Sequence, residues 1–369
     1  MKYFFETYGC QMNKAESSSF EQLLLARSWI KATTEYDADL ICINTCSVRA
    51  TAESRIHGRL GRYTALRKER GDSFTLVVMG CMAERLGDDL KKQFKVVDYV
   101  AGTSKHGSLI SIVQAVENNI KLDCLIADDV YCFDPISYEN GMSKAYVPIM
   151  QGCNNFCTYC IVPHVRGREI SRSPKEILAE IDMLSVKNVK EITVLGQNVN
   201  SYHWDASNNM SWSGFSQGGV SLGSIEMDVQ STAALTNKAI INFPGLMKII
   251  AQHIRKTHSS IQWVRFMSSH PKDISKQLID VMAQEPVICR HVHLPMQHGS
   301  NKILKKMNRR YTREKYVSIV NYMKEKMPNI TLTTDIMMGF PGETEEDVTE
   351  VFSLMELVRF QIAYMYYFN

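Results

Sequence analysis

The stretch Gln151-Gly152-Cys153-Asn154-Asn155-Phe156-Cys157-Thr158-Tyr159-Cys160 places three of the chain's ten cysteines within eight residues, spaced C-x3-C-x2-C. That spacing is too tight for a disulfide framework in a chain of 369 residues, and three thiolates are one ligand short of a closed structural zinc site. Three thiolates on one compact loop can instead hold three irons of a cubane cluster and leave the fourth iron open to an exchangeable ligand.

A second set is dispersed. Cys10 follows Tyr8-Gly9, Cys46 follows Asn44-Thr45, and Cys81 follows Met79-Gly80. Each ends a strand-like run: the pattern predicts strands over 2–7, 39–44, 74–79 and 96–100, with helices near 14–26, 50–70, 82–93 and 107–118. This alternation is that of a doubly wound parallel α/β sheet, in which functional groups collect at the carboxyl ends of the strands. Three distant cysteines thus converge on one edge, whereas Cys42, inside Leu40-Ile41-Cys42-Ile43, reads as core. Pro135, Asn140 and Gly141 mark a linker, in which Cys124 and Cys132 are incidental. The expected organisation is an N-terminal domain over 1–120, a linker over 121–144 and a second domain over 145–369.

In that second domain, strands are predicted over 145–150, 191–195, 263–267, 291–294, 330–338 and 362–368. Helices fit at 173–185, 244–256, 273–284, 301–306, 312–325 and 344–359. Six βα units with right-handed crossovers curl toward a partial (βα)6 barrel, whose chemistry belongs at the carboxyl ends of the strands. The cysteine loop directly follows the first of them. The stretch 203–242, rich in Ser, Gly and Asn, is long for a compact domain and reads as a surface insertion.

Hydrophobic content of 45% and charged content of 22% are those of an ordinary globular protein. Net charge of +3 does not announce nucleic acid, so any RNA contact must come from local patches. The N-terminus lacks the apolar region of a signal peptide, and no apolar run reaches the length of a membrane span. The expected compartment is the cytoplasm, without membrane association, where clustered cysteines bind metal more often than each other.

Further ordered motifs surround the cysteines: Tyr8-Gly9-Cys10-Gln11-Met12-Asn13, Cys160-Ile161-Val162-Pro163, Arg166-Gly167-Arg168-Glu169, Leu195-Gly196-Gln197-Asn198 and Gly339-Phe340-Pro341-Gly342-Glu343-Thr344. With Tyr159 just before the last cysteine of the loop, they resemble the radical S-adenosylmethionine methylthiotransferases, specifically the MiaB-type enzymes acting on tRNA. The resemblance covers essentially the whole chain. It implies that Cys153, Cys157 and Cys160 hold a 4Fe-4S cluster with exchangeable S-adenosylmethionine. It implies that Cys10, Cys46 and Cys81 hold an auxiliary 4Fe-4S cluster that carries or donates sulfur. The implied reaction uses two S-adenosylmethionine molecules to place a methylthio group at C2 of an N6-isopentenylated adenosine at position 37, beside the anticodon. Abstracting hydrogen from so unactivated a carbon is cofactor chemistry that no side chain performs unaided. The implied partners are the tRNA anticodon stem-loop, an electron donor such as flavodoxin or ferredoxin, and a sulfur donor. Cofactor contact is expected at Tyr159, Gln197, Ser268, Gln297, Gly339 and Gly342, with no catalytic side chain beyond the cluster ligands.

Two basic stretches are the candidate RNA contacts, Arg166 and Arg168 after the cysteine loop, and Arg309 and Arg310 beside Tyr311, on which a base could stack. Arg55, Arg59 and Arg62 share one helix face, read as solvated, with phosphate binding the alternative. Three features depart from the family, the first being the long stretch 203–242. His298 stands where a small residue is expected, and the sequence reaches Asn369 without the TRAM β-barrel into which the family continues. Within the same chemistry, the alternatives are a threonylcarbamoyladenosine in tRNA or a ribosomal protein aspartate as substrate. From other classes they are an iron–sulfur electron carrier or scaffold, and an inactive tRNA-binding protein.

Overall fold

The computed structural model describes residues 1–47, 50–105, 107–125, 141–207 and 240–368; Cys132 and most of the expected insertion lie outside them. Strands β1 (Lys2–Tyr8), β2 (Ile30–Lys31), β3 (Leu40–Thr45), β4 (Thr75–Gly80) and β5 (Tyr99–Ala101) form one all-parallel sheet, in the order β2-β1-β3-β4-β5. The two-residue β2 is too short to carry a periodicity, and the sequence pattern does not reveal it. Strand β3 is buried along its whole length, as a parallel strand covered on both faces must be. Its side chains alternate between two cores. Ile41 and Ile43 meet Ile56, Leu60 and Tyr63 of helix Ala50–Arg70. Leu40 and Cys42 join Phe20 and Leu24 of helix Gln11–Ala26 and Leu109 and Ile112 of helix Ser108–Glu117. Cys42 is therefore a core side chain. In this strand order the connections reverse direction between β1 and β3, which opens a crevice at the carboxyl ends of those two strands.

The second half contributes β6 (Lys144–Pro148), β7 (Met150–Gln151), β8 (Ile170–Ser171), β9 (Glu191–Leu195) and β10 (His203–Asp205). It continues with β11 (Ile240–Asn242), β12 (Trp263–Phe266), β13 (His291–His293), β14 (Thr331–Met338) and β15 (Ile362–Tyr367). Strands β6, β9 and β12 form one parallel group and β13, β14 and β15 another, with a parallel bridge from Val264 to Ile288 across the seam. These six are the strands expected of the partial barrel. Their outward side chains, including Val147, Ile192, Val264, Val292 and Leu332, pack under the helices in one core. The helices start where capping chemistry dictates. Ser173, Asn242, Ser275, Thr312 and Thr344 each accept a hydrogen bond from a backbone N–H in the first turn.

Two short antiparallel pairs decorate this frame. Strands β7 and β8 pair Met150 with Ser171 and Gln151 with Ile170, and so close the base of the cysteine loop. Strands β10 and β11 pair His203 with Asn242, so the expected insertion 203–242 is structured at both of its ends. Among the described residues no helix is long and apolar enough to cross a membrane.

One buried ion pair ties a barrel helix to the sheet. Arg172 bonds Glu180 of helix Pro174–Val186 and donates to the Pro148 carbonyl at 3.0 Å, with both charged side chains sealed from solvent. Glu180→Ala would deprive a buried guanidinium of its carboxylate. We expect a loss of about 3–5 kcal/mol in chemical denaturation, and a much smaller loss when Arg172 is replaced by Leu in the same chain.

Candidate functional site

The N-terminal cysteines lie at the ends of three adjacent strands. Cys10 precedes helix Gln11–Ala26 after β1, Cys46 follows β3, and Cys81 opens helix Cys81–Leu86 after β4. Asn13 and Asn44 hold this edge together. Asn13 Oδ1 accepts from the Cys10 amide at 3.2 Å and the Cys10 thiol at 3.3 Å, while its Nδ2 donates to Asn44 Oδ1 at 2.9 Å. Asn44 Nδ2 returns a bond to the Asn13 carbonyl at 3.0 Å. Gly80 is needed at its place: its φ is +93°, and a Cβ there would lie 2.4 Å from Asn44 Oδ1 and 2.5 Å from the Thr45 carbonyl oxygen. Cys46 and Cys81 are buried and Cys10 is exposed. Burial pushes the Cys81 thiol up to about 11; Arg166 opposes this, and Glu16, Cys46 and Cys10 add to it. The three sulfurs are thus within electrostatic reach of one another.

The second triplet sits on the loop after β7. Gly152, at φ +83°, donates its amide to Gln197 Oε1 at 2.6 Å, and a Cβ on it would lie 2.0 Å from the Arg168 carbonyl oxygen. The Cys153 amide donates to the Gly167 carbonyl at 3.2 Å, and the Cys160 amide to the Cys157 carbonyl at 2.9 Å. Burial pushes the Cys153 thiol up to about 11, against the Asn155 amide and with Glu169, Cys160 and Cys157 adding. The loop's middle is gripped from afar. Thr158 donates its amide to the Met307 carbonyl at 3.2 Å, Asn308 Nδ2 donates to the Phe156 carbonyl at 2.8 Å, and Lys272 Nζ donates to Asn155 Oδ1 at 2.7 Å.

The basic stretches therefore need correction. Arg166 and Arg309 are each only 5% exposed and cannot be RNA contacts. Arg166 clamps Glu16 through both terminal nitrogens and donates from Nε to Cys81 Sγ at 3.2 Å. It spans from the barrel to the N-terminal sheet, beside an apolar seam of Met12, Ala15 and Leu195. Arg309 donates to Cys157 Sγ at 3.4 Å, Tyr159 Oη at 3.4 Å and the Pro295 carbonyl at 3.2 Å. Tyr311 is buried, with its hydroxyl on the Met296 carbonyl at 2.6 Å, so no base can stack on it. Arg168 and Arg310 remain exposed. The Arg59 and Arg62 face is engaged too, with Glu6 and Glu35 as ion-pair partners.

The expected cofactor residues lie at the carboxyl ends of the barrel strands. Ser268 follows β12 at φ +68°, Gln297 pairs by its backbone beside β14 at φ +59°, and Gly339 follows β14 at φ +76°. Ser268 and Gln297, two non-glycine residues in the left-handed region at one barrel mouth, mark a site of stored backbone strain. Gly342, at φ +80°, faces Lys306 Nζ, and Tyr159 is half-buried against Arg309. Gln197 spends its carbonyl oxygen on the cysteine loop. His298, buried, accepts from the Ser300 amide at 3.0 Å and lies 3.4 Å from Glu343, beneath the Gly339–Thr344 turn, so its bulk is structural.

Sequence reasoning offered the Ser268-Ser269-His270-Pro271 stretch as a candidate cofactor contact but gave no such role to Gln151, Asn198 or Asn200. Gln151 Oε1, Asn198 Oδ1, Asn200 Nδ2, Ser269 Oγ and His270 Nε2 are buried, and none has a hydrogen-bond partner among the described residues. Gln151 ends β7, Asn198 and Asn200 lie in the segment after β9, and Ser269 and His270 in the segment after β12. His270 Nδ1 accepts from the Lys272 amide at 3.1 Å, and burial, with Arg309, Lys272 and Arg310, holds the ring neutral by depressing its pKa to about 2. Its proton therefore sits on the unpartnered Nε2. Orphaned buried polar atoms in such number call for a polar ligand. A period-based reading cannot tell which of these polar atoms lacks a partner.

Comparison with known proteins agrees with this layout. Residues 147–355 match the radical SAM superfamily, and residues 2–102 match uncharacterized protein family UPF0004. A tRNA-2-methylthio-N(6)-dimethylallyladenosine synthase from Treponema pallidum (strain Nichols) is 47% identical over 381 residues, covering 100% of this chain and 76% of that protein. Its namesake from Clostridium botulinum (strain Langeland) is 39% identical over 373 residues, covering 100% of this chain and 74% of that protein. Among solved structures, the radical S-adenosylmethionine methyltransferase TsrM from Kitasatospora setae, with cobalamin and a [4Fe-4S] cluster bound, shares the fold with a TM-score of 0.68. Its identity is 13%, over 99% of this chain and 74% of that one. The cobalamin-dependent S-adenosylmethionine radical enzyme OxsB follows at a TM-score of 0.59 and 12% identity, over 96% of this chain and 52% of that one. The chain belongs to the radical S-adenosylmethionine superfamily, within its tRNA-2-methylthio-N6-dimethylallyladenosine synthases.

Proposed function

We propose that each cysteine triplet holds one 4Fe-4S cluster and that together they methylthiolate C2 of an N6-isopentenylated adenosine at position 37 of tRNA. The observation that carries this reading is the short link between the two triplets. Cys153 is bonded to Gly167, and the neighbouring Arg166 reaches Cys81. Both thiol sets thereby lie at the seam between sheet and barrel, as a reaction needing both requires. The domain division proposed with it is 1–120, 121–144 and 145–369.

The donor sets fit such clusters. Each offers three soft thiols, one of which receives an N–H from a buried arginine, as outer-sphere support of a metal ligand requires. Among the described residues no three His, Cys, Asp or Glu side chains gather tightly enough to share a single metal ion, whereas a cubane takes its thiolates on separate irons. When bound, the clusters and S-adenosylmethionine supply the reductive cleavage and the transferred sulfur. The protein's part is positioning. Gln197, Lys272 and Asn308 fix the loop backbone; the neutral His270 and Ser269 offer donors, and Gln151 and Asn198 offer acceptors, for the amino, carboxylate and ribose groups of the cofactor. The buried Arg166–Glu16 pair holds the barrel loop against the N-terminal helix beside Cys81. A reductant of flavodoxin or ferredoxin type, a sulfur donor and a cytoplasmic setting complete the proposal. A carrier needs no open coordination position, and two sets of three thiols each leave one.

Three results test it. Gly80→Ala and Gly152→Ala, each forcing a Cβ into backbone, should each remove about four of about eight irons per anaerobically reconstituted chain, with different residual spectra. Retention of all the iron in both would count against the cysteine assignment. Mass spectrometry of isopentenylated tRNA incubated with the reduced enzyme should show the methylthio product; product on threonylcarbamoyladenosine alone would move the substrate. Reversing Arg168 and Arg310 to Glu should weaken tRNA binding and lower its salt slope by about one for each phosphate no longer neutralised, and an unaltered slope would remove these two from the RNA surface.

A further inference from the structure

Three arginines are buried in the described residues, Arg166, Arg172 and Arg309. Arg166 is neutralised by Glu16 and Arg172 by Glu180. Arg309 has no carboxylate partner among the described residues. Its four hydrogen bonds go to the Pro295 carbonyl, the hydroxyls of Tyr311 and Tyr159, and Cys157 Sγ. A guanidinium sealed from water without negative charge nearby is strongly unfavourable, and the acidic group it does touch is a cysteine of the C-x3-C-x2-C loop.

We propose that Arg309 is the built-in counter-charge of the cluster held by Cys153, Cys157 and Cys160, and that its net positive charge makes that cluster easier to reduce than it would be with a neutral side chain in that place. Three thiolates around an iron–sulfur core make an anionic assembly, and the incoming electron adds to that charge. A full cation 3.4 Å from one ligand sulfur favours the reduced form by Coulomb attraction. Arg166 also donates to a ligand sulfur, at 3.2 Å, but Glu16 cancels its charge, leaving only the hydrogen bond. The two sites therefore share a donor and differ in charge. This makes Arg309 a positioning and redox-tuning residue, and it rests on the reading that these cysteines hold a cluster.

The test is an anaerobic potentiometric titration of the reconstituted full chain with dithionite, followed by electron paramagnetic resonance, with iron content measured on every sample. Variants lacking one triplet assign each signal. If removing Cys153, Cys157 and Cys160 leaves iron and spectrum unchanged, the cluster reading itself fails. With that reading secure, Arg309→Met should shift the one-electron equilibrium of this cluster toward the oxidised form by about 10- to 100-fold, about 60–120 mV. Arg309→Lys should recover most of the shift, and Arg166→Met should move the other cluster less. A fully loaded Arg309→Met with an unshifted potential overturns the proposal, as does Arg309→Lys behaving like Arg309→Met. Should Arg309→Met fail to hold iron, Arg309→Gln takes its place in the titration. Metal-induced thermal stabilisation is then compared: a rise preserved in Arg309→Lys and abolished in both neutral variants supports a charge requirement, and an equal rise in all three overturns it.

Discussion

A charge withdrawn from water must find its opposite inside the protein, and the cost of failing to do so organises the middle of this molecule. Arg166 belongs to the barrel by sequence and to the N-terminal sheet by contact. Its fork on Glu16 fixes the two halves against each other at the place where the thiols of both lie. An apolar seam of Met12, Ala15 and Leu195 would hold two surfaces together but would tolerate sliding. The bidentate pair does not, because its geometry is directional. Arg166, a few positions beyond the second triplet, thus adds direction to a seam that also includes the Thr103 hydroxyl on the Val165 carbonyl.

The two cysteine sites also share a way of being built. In each, a glycine at positive φ lets the backbone turn where any side chain would collide with a neighbouring carbonyl, Gly80 with Thr45 and Gly152 with Arg168. In each, an asparagine anchors the backbone next to the thiols, Asn13 on one side and Asn308 on the other. The loops that carry the thiols are held by hydrogen bonds to the main chain and by forbidden Cβ positions.

Much of this was legible in the sequence, for a physical reason. Strands such as β3 are buried runs, five helices of the second half begin at Ser, Thr or Asn caps, and both kinds of signal are local. The cysteines stood out because a thiol after a strand end is an unusual residue in an informative place. Arg166, Arg309 and Tyr311 misled because a basic or aromatic residue in a loop-rich stretch looks exposed until its partners are known, and those partners are distant: Glu16 for Arg166, Cys157 for Arg309. The orphaned atoms of Asn198 and Asn200 were hidden for the same reason. Being unpartnered is a property of the surroundings, and no single-residue pattern carries it.

The grip on the cysteine loop has a consequence for how the chain comes to be. The N-terminal sheet pairs strands close in sequence, and its last strand ends at Ala101. The loop that begins near Cys153 is held by Met307, Asn308 and Arg309, some 150 residues further on. During synthesis the first three thiols can therefore be set in a folded sheet while the second three still hang on an unfinished scaffold. Closing a contact of that span is slow compared with local pairing, and domains made first fold first. The order of assembly runs opposite to the order of chemistry: the half expected to supply the sulfur is shaped early, and the half expected to generate the radical is completed only when the distant turn arrives to close the loop.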